Sequence, residues 1–102
     1  MEIPAVAALK AHIEPLAALS LSHLSSSTRL KLADDELSVN AYPTDHGGIV
    51  FVGAPLYRIP EEADLAAIFK VAELAGIVWL KFDNEAAVIN DLPVFEIQDP
   101  AS

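Results

Sequence analysis

The sequence predicts an α/β or α+β fold with two layers, in which helices pack on one face of a mixed or mainly antiparallel sheet of four to five strands. Three observations support this fold class. The 102 residues suffice for one domain and are too few for two. Helical patterns alternate with paired strand patterns, and 53% of the residues are hydrophobic, which argues against disorder. We therefore expect one domain over residues 1–102, with a frayed tail at residues 98–102.

The first element is a short amphipathic helix over residues 4–13. Pro4 suits the first turn of a helix, and apolar residues follow it at spacings of three and four. Pro15 breaks or kinks this helix. The apolar run at residues 16–21 fits either a buried strand or a continued helix, and its length does not decide between them.

Two interpretations remain open for residues 26–35. The hydroxyl side chains of residues 25–28 are typical helix caps, and Leu30, Ala33 and Leu37 would then share one side of a helix. Residues 28–32 and 37–41 also alternate with a period of two, which is typical of a hairpin turning at the acidic residues 34–36. We favour the helix.

A β-hairpin is predicted in the middle of the chain. Residues 39–42 and 49–52 are rich in strand formers. They flank the turn-forming cluster Pro43–Gly48, and Gly53–Pro55 would end the second strand.

The strongest helix opens at Pro60, has acids in its first turn and ends before Gly76. Its expected buried face consists of Leu65, Ile68, Phe69 and Ala72. Residues 77–82 then predict a central strand. After a turn at residues 83–85, residues 87–89 are expected to return beside that strand, and residues 94–97 to form a final short one.

Composition excludes several classes of function. No cysteine is present, so disulfides, thiolate metal sites and cysteine nucleophiles are ruled out. The net charge of −9 disfavours direct binding to nucleic acid, because phosphates would be repelled. No apolar run is long enough to span a membrane, and the amino terminus does not look like a secretory signal, so we expect a cytoplasmic protein.

No motif for catalysis or cofactor binding is complete. His12, His23 and His46 lie in separate elements and lack the spacing of a helical zinc site. The His46-Gly47-Gly48 turn is not accompanied by a nucleophile motif, and no phosphate-binding glycine motif occurs. We therefore predict no enzyme activity, no cofactor and no metal.

Charge is distributed unevenly along the chain. Residues 1–58 carry six acids and four bases, whereas residues 59–102 carry nine acids and two bases. The second half could form an acidic surface for a basic protein partner, or could simply keep an apolar protein soluble. The candidate partner-binding acids are Glu61, Glu62, Asp64, Glu73, Asp83, Glu85 and Asp91, with Glu96 and Asp99 further along.

Five segments carry a resemblance to a known family: residues 19–24, 41–48, 59–68, 78–83 and 90–95. Over about residues 17 to 96 the chain resembles a family of uncharacterised small bacterial proteins found on plasmids and integrative elements. The resemblance implies the order strand, helix, hairpin, helix, hairpin, and it favours the helix at residues 26–35. It implies an accessory role in mobile DNA and supplies no activity.

The leading hypothesis is a non-enzymatic interaction or accessory protein that binds a basic partner through its acids. A narrower version is an inhibitor of a nucleic-acid-handling defence enzyme, whose DNA groove the acids would occupy. An alternative is a small-molecule binder or minor enzyme with a pocket near His23, Tyr42 and His46. A homodimer formed through an edge strand or the apolar amino-terminal helix is a further hypothesis.

Overall fold

The computed structural model describes residues 3–52 and 59–95. These residues form an α+β fold, a four-stranded mixed sheet with three helices. The elements, in chain order, are α1 (Pro4–Ala11), β1 (Leu16–Ser20), α2 (Ser26–Ala33), β2 (Ala41–Thr44), β3 (Gly47–Phe51), α3 (Ala63–Ala75) and β4 (Trp79–Asp83). A 3₁₀ turn at Leu21–His23 joins β1 to α2.

The strand order in the sheet is β1, β4, β3, β2. β1 pairs with β4 in parallel, with Leu16 opposite Trp79 and Ser20 opposite Asp83. The other two pairs are antiparallel. The run at residues 77–82 was predicted to contain a central strand, and β4 does lie between two neighbours.

The two open choices near the amino terminus are resolved by the structure. The apolar run after Pro15 is a strand, and residues 26–35 contain a helix, as favoured. The buried residues of α2 are Thr28 and Leu32, however, while Leu30 is 65% exposed. Leu32 is buried because Gly48 in β3 leaves room for it on the sheet. A Cβ on Gly48 would lie 2.5 Å from the Leu32 side chain.

The central hairpin is tighter than its turn-forming residues predicted. Its turn comprises Asp45 and His46, and the residues on either side, expected in the turn, belong to β2 and β3. Pro43 fits inside β2 because β2 is an edge strand, where a missing N–H is tolerated. Gly47 fits because the backbone of Phe82 approaches it closely.

The helix α3 has the buried face expected from its sequence, Leu65, Ile68, Phe69 and Ala72. It begins at Ala63, three residues later than Pro60, and Glu62 is its N-cap. Gly76 ends it in the left-handed conformation with φ 74°, a conformation that costs glycine little because it has no Cβ.

The segment after β4 contains no strand among its described residues. The prediction that residues 87–89 return as a strand was therefore wrong. It is nevertheless tied to β1 and to the turn after it. The Ser20 N–H donates to the Ala87 carbonyl (2.9 Å), and the Phe95 N–H donates to the Ser22 carbonyl (2.7 Å). The predicted final strand at residues 94–97 is not formed at its described residues, 94 and 95. The rest of it, the predicted strand end at Gly53–Pro55 and the predicted frayed tail at residues 98–102 lie outside the described residues.

The core is a single cluster of buried side chains from the sheet, α2 and α3. Phe82, Leu24, Leu32, Leu65 and Val50 are its largest fully buried apolar side chains. α1 contributes nothing to it, since all of its residues are exposed. None of the helices in the described part of the chain is long and apolar enough to cross a membrane.

Candidate functional site

Two of the predicted partner-binding acids are committed to hydrogen bonds inside the fold. The Glu62 carboxylate is only 8% exposed and accepts from the Ser38 hydroxyl (2.6 Å) and the Ser38 N–H (3.2 Å). Lys31 adds an ion pair at 3.8 Å from the carboxylate. This carboxylate therefore joins the loop before β2 to the start of α3.

The second committed acid is Asp64, in the first turn of α3. It accepts from the Ser25 N–H (2.8 Å) and from the Thr28 hydroxyl (2.8 Å). Ser25 is the N-cap of α2, and its own hydroxyl accepts from the Thr28 N–H. Asp64 thus supplies an acceptor to the amino end of the neighbouring helix, where backbone N–H groups otherwise lack partners.

Both carboxyl groups ionise more readily than usual. Burial acts to raise the pKa of Glu62, but the hydrogen bonds from Ser38 and the charge of Lys31 outweigh it, so this pKa lies below its ordinary value. Burial likewise acts to raise the pKa of Asp64, but the hydrogen bonds from Ser25 and Thr28 outweigh it, so this pKa also lies below its ordinary value. Each carboxylate is stabilised by the fold in its charged form.

The remaining candidate acids face solvent. Glu61, Glu73, Glu85 and Asp91 are exposed, and Asp83 is half-buried. Within residues 3–52 and 59–95, the Lys31–Glu62 contact is the only ion pair, so no described base neutralises these five acids. Of the candidate partner-binding acids, these five are the ones that a partner could reach.

Asp83 and Glu85 lie at the end of the sheet where the two parallel strands finish. Asp83 ends β4 beside Ser20, which ends β1. The Asp83 carboxylate accepts from the Glu85 N–H (2.8 Å), which keeps both acids at this end. Glu61 lies elsewhere, because its N–H donates to the Ser38 hydroxyl (2.9 Å) in the loop before β2.

Asp91 belongs to the same end of the molecule. It lies between Ile89 and Pro93, and both of these residues contact His23 in the turn after β1. Glu73, like Glu61, lies away from this end. It lies nine residues beyond Asp64 along α3, a rise of about 14 Å, toward the opposite end of the sheet.

His23 has a structural role in this fold. It is 0% exposed; its Nδ1 lies 2.7 Å from the Pro93 carbonyl, and its Nε2 accepts from the Ile89 N–H at 2.9 Å. These partners assign a neutral imidazole with its proton on Nδ1. Both ring nitrogens are occupied in holding the carboxyl-terminal segment against the turn.

The structure does not bring His23, Tyr42 and His46 to one cavity. Tyr42 is exposed on β2 and packs at 6.4 Å from the ring of Trp79. His46 is exposed in the hairpin turn and lines a cavity that neither of the other two residues reaches. These three residues therefore do not line a common pocket.

A residue that the sequence did not single out, Arg29, lies beside His46 in that cavity. Its Nε donates to the Leu24 carbonyl (2.8 Å) and an Nη donates to the Phe95 carbonyl (3.0 Å). The second partner is 66 residues away in the chain, so no local pattern could have predicted it. Burial lowers the pKa of this guanidinium, which still stays charged at neutral pH.

No metal centre is formed by the described part of the chain, where no three His, Asp or Glu side chains come together as ligands. The three histidines stay apart in their elements: His12 follows α1, His23 lies in the turn after β1, and His46 lies in the hairpin.

A family model described as "Family of unknown function (DUF5983) C-terminal domain" matches residues 16–97. The chain belongs to this family. The finding confirms the resemblance to an uncharacterised family, and the match begins with β1, so α1 precedes the DUF5983 domain. No curated protein and no solved structure matches the chain.

Proposed function

We propose that this DUF5983 domain is a non-enzymatic interaction module that binds a basic protein partner. The observation that carries the proposal is the division of its acids into two groups. Glu62 and Asp64 are consumed by internal hydrogen bonds, whereas the exposed acids have no described counter-ion. The proposed binding residues, which we call the acidic set, are Glu61, Glu73, Asp83, Glu85 and Asp91.

Electrostatics supports this function. Unpaired acids on a chain with a net charge of −9 attract a basic surface and repel nucleic acid. In a narrower form of the proposal, the partner is a nucleic-acid-handling defence enzyme, and the acidic set takes the place of phosphates in its groove. The protein would then act in the cytoplasm as an accessory factor of a bacterial mobile element.

The test compares two variants that lose the same amount of charge. The first neutralises exposed members of the acidic set through Glu61→Gln, Glu73→Gln, Glu85→Gln and Asp91→Asn. The matched control neutralises four exposed acids of the amino-terminal half through Glu14→Gln, Asp34→Asn, Asp35→Asn and Glu36→Gln. Each immobilised protein captures partners from a lysate of the source organism, and mass spectrometry identifies them.

We expect the wild type and the control variant to retain the same basic protein, and the acidic-set variant to lose it. Loss of binding in both variants would mean that total charge matters rather than position. Retention by both variants, or capture of partners that are not basic, would contradict the proposal.

We also propose that the chain forms a homodimer through α1. The support is exposure: Val6, Leu9 and the flanking Ile3 and Ile13 are large apolar side chains that are 46–71% exposed. A helix of eight residues is not stable in water by itself, so α1 needs a surface to pack against. A second copy of the chain supplies one.

A further inference from the structure

The cavity that contains Arg29 has the size and lining of a small-molecule site. Its volume is about 490 Å³, within the range of ligand-binding cavities. It is enclosed by the turn after β1, by α2, by the β2–β3 hairpin and by Asn84 after β4. Its walls are mainly apolar, and the apolar lining residues are Leu21, Leu30, Leu32 and Ala33.

In the part of the chain that the structure describes, Arg29 is the one arginine or lysine that lines this cavity. Two of its five N–H donors are used by the carbonyls of Leu24 and Phe95, which orient the guanidinium. Among residues 3–52 and 59–95, no carboxylate lies within 4 Å of it. An arginine held in this way retains donors in the planar fork that binds a carboxylate or phosphate.

The other polar groups of the cavity are compatible with an anion. Ser26, Thr44, His46 and Asn84 carry hydroxyl, imidazole and amide donors. Asp45 also lines the cavity, but it is exposed in the hairpin turn, so water and salt screen its charge more than that of the half-buried Arg29.

We infer that this cavity binds a small organic anion, a carboxylate or phosphate monoester whose apolar chain lies between α2 and the hairpin. The anionic group pairs with Arg29, and the chain contacts Leu21, Leu30 and Leu32. This site is distinct in charge from the acidic set, and its lining residue Asn84 lies between two members of that set, Asp83 and Glu85.

The probes are octanoate, octyl phosphate, octanol and octylammonium, which share one apolar chain and differ in the head group. Binding is measured by calorimetry and by the shifts of the Arg29 and His46 signals in NMR spectra. We expect the two anions to bind about tenfold or more tightly than octanol, because a charge-assisted hydrogen bond contributes more than about 1.4 kcal/mol. Octylammonium should not bind. The stronger of the two anions would identify the source of the ligand as carboxylate or phosphate.

Arg29→Gln should reduce anion binding at least about tenfold. Lys70→Gln is its matched control, because it removes one positive charge from the exposed side of α3 and should leave binding unchanged. Arg29 also supports the fold through its two carbonyl contacts, so a second variant, Ala33→Trp, fills the cavity without removing a hydrogen bond. It should abolish anion binding and keep the circular dichroism of the wild type.

Three results would overturn the inference: no binding of either anion, equal binding of octanoate and octylammonium, or unchanged octanoate binding by a folded Ala33→Trp variant. The acidic-set variant, which should lose the protein partner, keeps Arg29 and should still bind the anions. The anion site and the proposed partner binding can therefore fail separately.

Discussion

At the scale of single residues, hydrogen bonding distinguishes acids that hold the fold from acids that face water. Asp64 accepts two hydrogen bonds at the amino end of α2, and Glu62 accepts two from Ser38. Glu61, next in the chain to Glu62, is exposed. Glu62 therefore stabilises the fold, whereas the carboxylate of its neighbour Glu61 faces solvent.

The lowered pKa values of Asp64 and Glu62 predict how stability responds to acid. A carboxyl group whose pKa is lower in the folded state stabilises the fold above its unfolded pKa, about 4, and loses this contribution as the pH falls through the folded value. Asp64→Asn should lower the free energy of unfolding by about 1–2 kcal/mol at neutral pH. The variant should also lose less stability than the wild type below about pH 4.

Urea unfolding at several pH values measures both effects. Glu61→Gln is the control, since it removes an equal charge from an exposed position and should change the unfolding free energy by less than about 0.5 kcal/mol. If Asp64→Asn and Glu61→Gln had equal stability at neutral pH, the capping role of Asp64 would be refuted.

Gly47 is a second residue on which the fold depends. A Cβ at this position would lie 2.0 Å from the Phe82 carbonyl oxygen, a distance that no relaxation of a side chain can relieve. Gly47→Ala should therefore destabilise the protein by more than about 2 kcal/mol. Gly76→Ala, where the Cβ meets nothing within 4 Å, should cost only about 1 kcal/mol from its positive φ. Thermal unfolding of both variants checks the order, and a smaller loss for Gly47→Ala would contradict the close approach.

These residue roles were largely beyond prediction from sequence. The buried face of α3 could be predicted, because its apolar residues recur with the helical period. The partners of His23 lie 66 and 70 residues away, and those of Asp64 lie 36 and 39 residues away. Such contacts depend on the tertiary fold, and a single sequence carries no local signal for them.

At the scale of elements, capping predicted the helices correctly, periodicity predicted the buried face of α3 but not that of α2, and turn composition misled. The Ser25 cap correctly favoured a helix at α2 over a hairpin, and Gly76 marked the end of α3. The composition of Pro43–Gly48 predicts one long turn, although only Asp45 and His46 form the turn. Pro43 and the two glycines lie in strands because an edge position and close backbone contacts accept them.

The exposed helix α1 leads to a prediction about self-association. Light scattering coupled to size-exclusion chromatography should show a dimer of the wild type that dissociates on dilution. Leu9→Glu, at a position 70% exposed on α1, should give a monomer, because a charge would be buried in the interface. Leu74→Glu makes the same change at a position 85% exposed on α3 and should leave the dimer intact.

A monomeric wild type at every concentration would remove the proposed dimer. A dimer that Leu74→Glu disrupts as strongly as Leu9→Glu would assign the interface to another surface.

At the scale of the whole molecule, the sequence predicted the amount of charge and its concentration in the second half of the chain. It could not predict which acids remain available, because this depends on which of them the fold buries. The structure places Asp83, Glu85 and Asp91 toward the end of the sheet where β1 and β4 finish, Glu61 beside Ser38 in the loop before β2, and Glu73 toward the far end of α3. We therefore expect the proposed basic partner to meet three of the five acids at one end of the sheet.

The most direct measurement of the central claim is stepwise salt elution of the captured partner from the immobilised wild-type protein. The range of electrostatic attraction falls from about 10 Å at 0.1 M salt to about 3 Å at 1 M. We predict that a basic protein is retained at 0.1 M, is released before 1 M, and is never retained by the acidic-set variant. Retention that is independent of salt would contradict the claim that the exposed acids bind the partner.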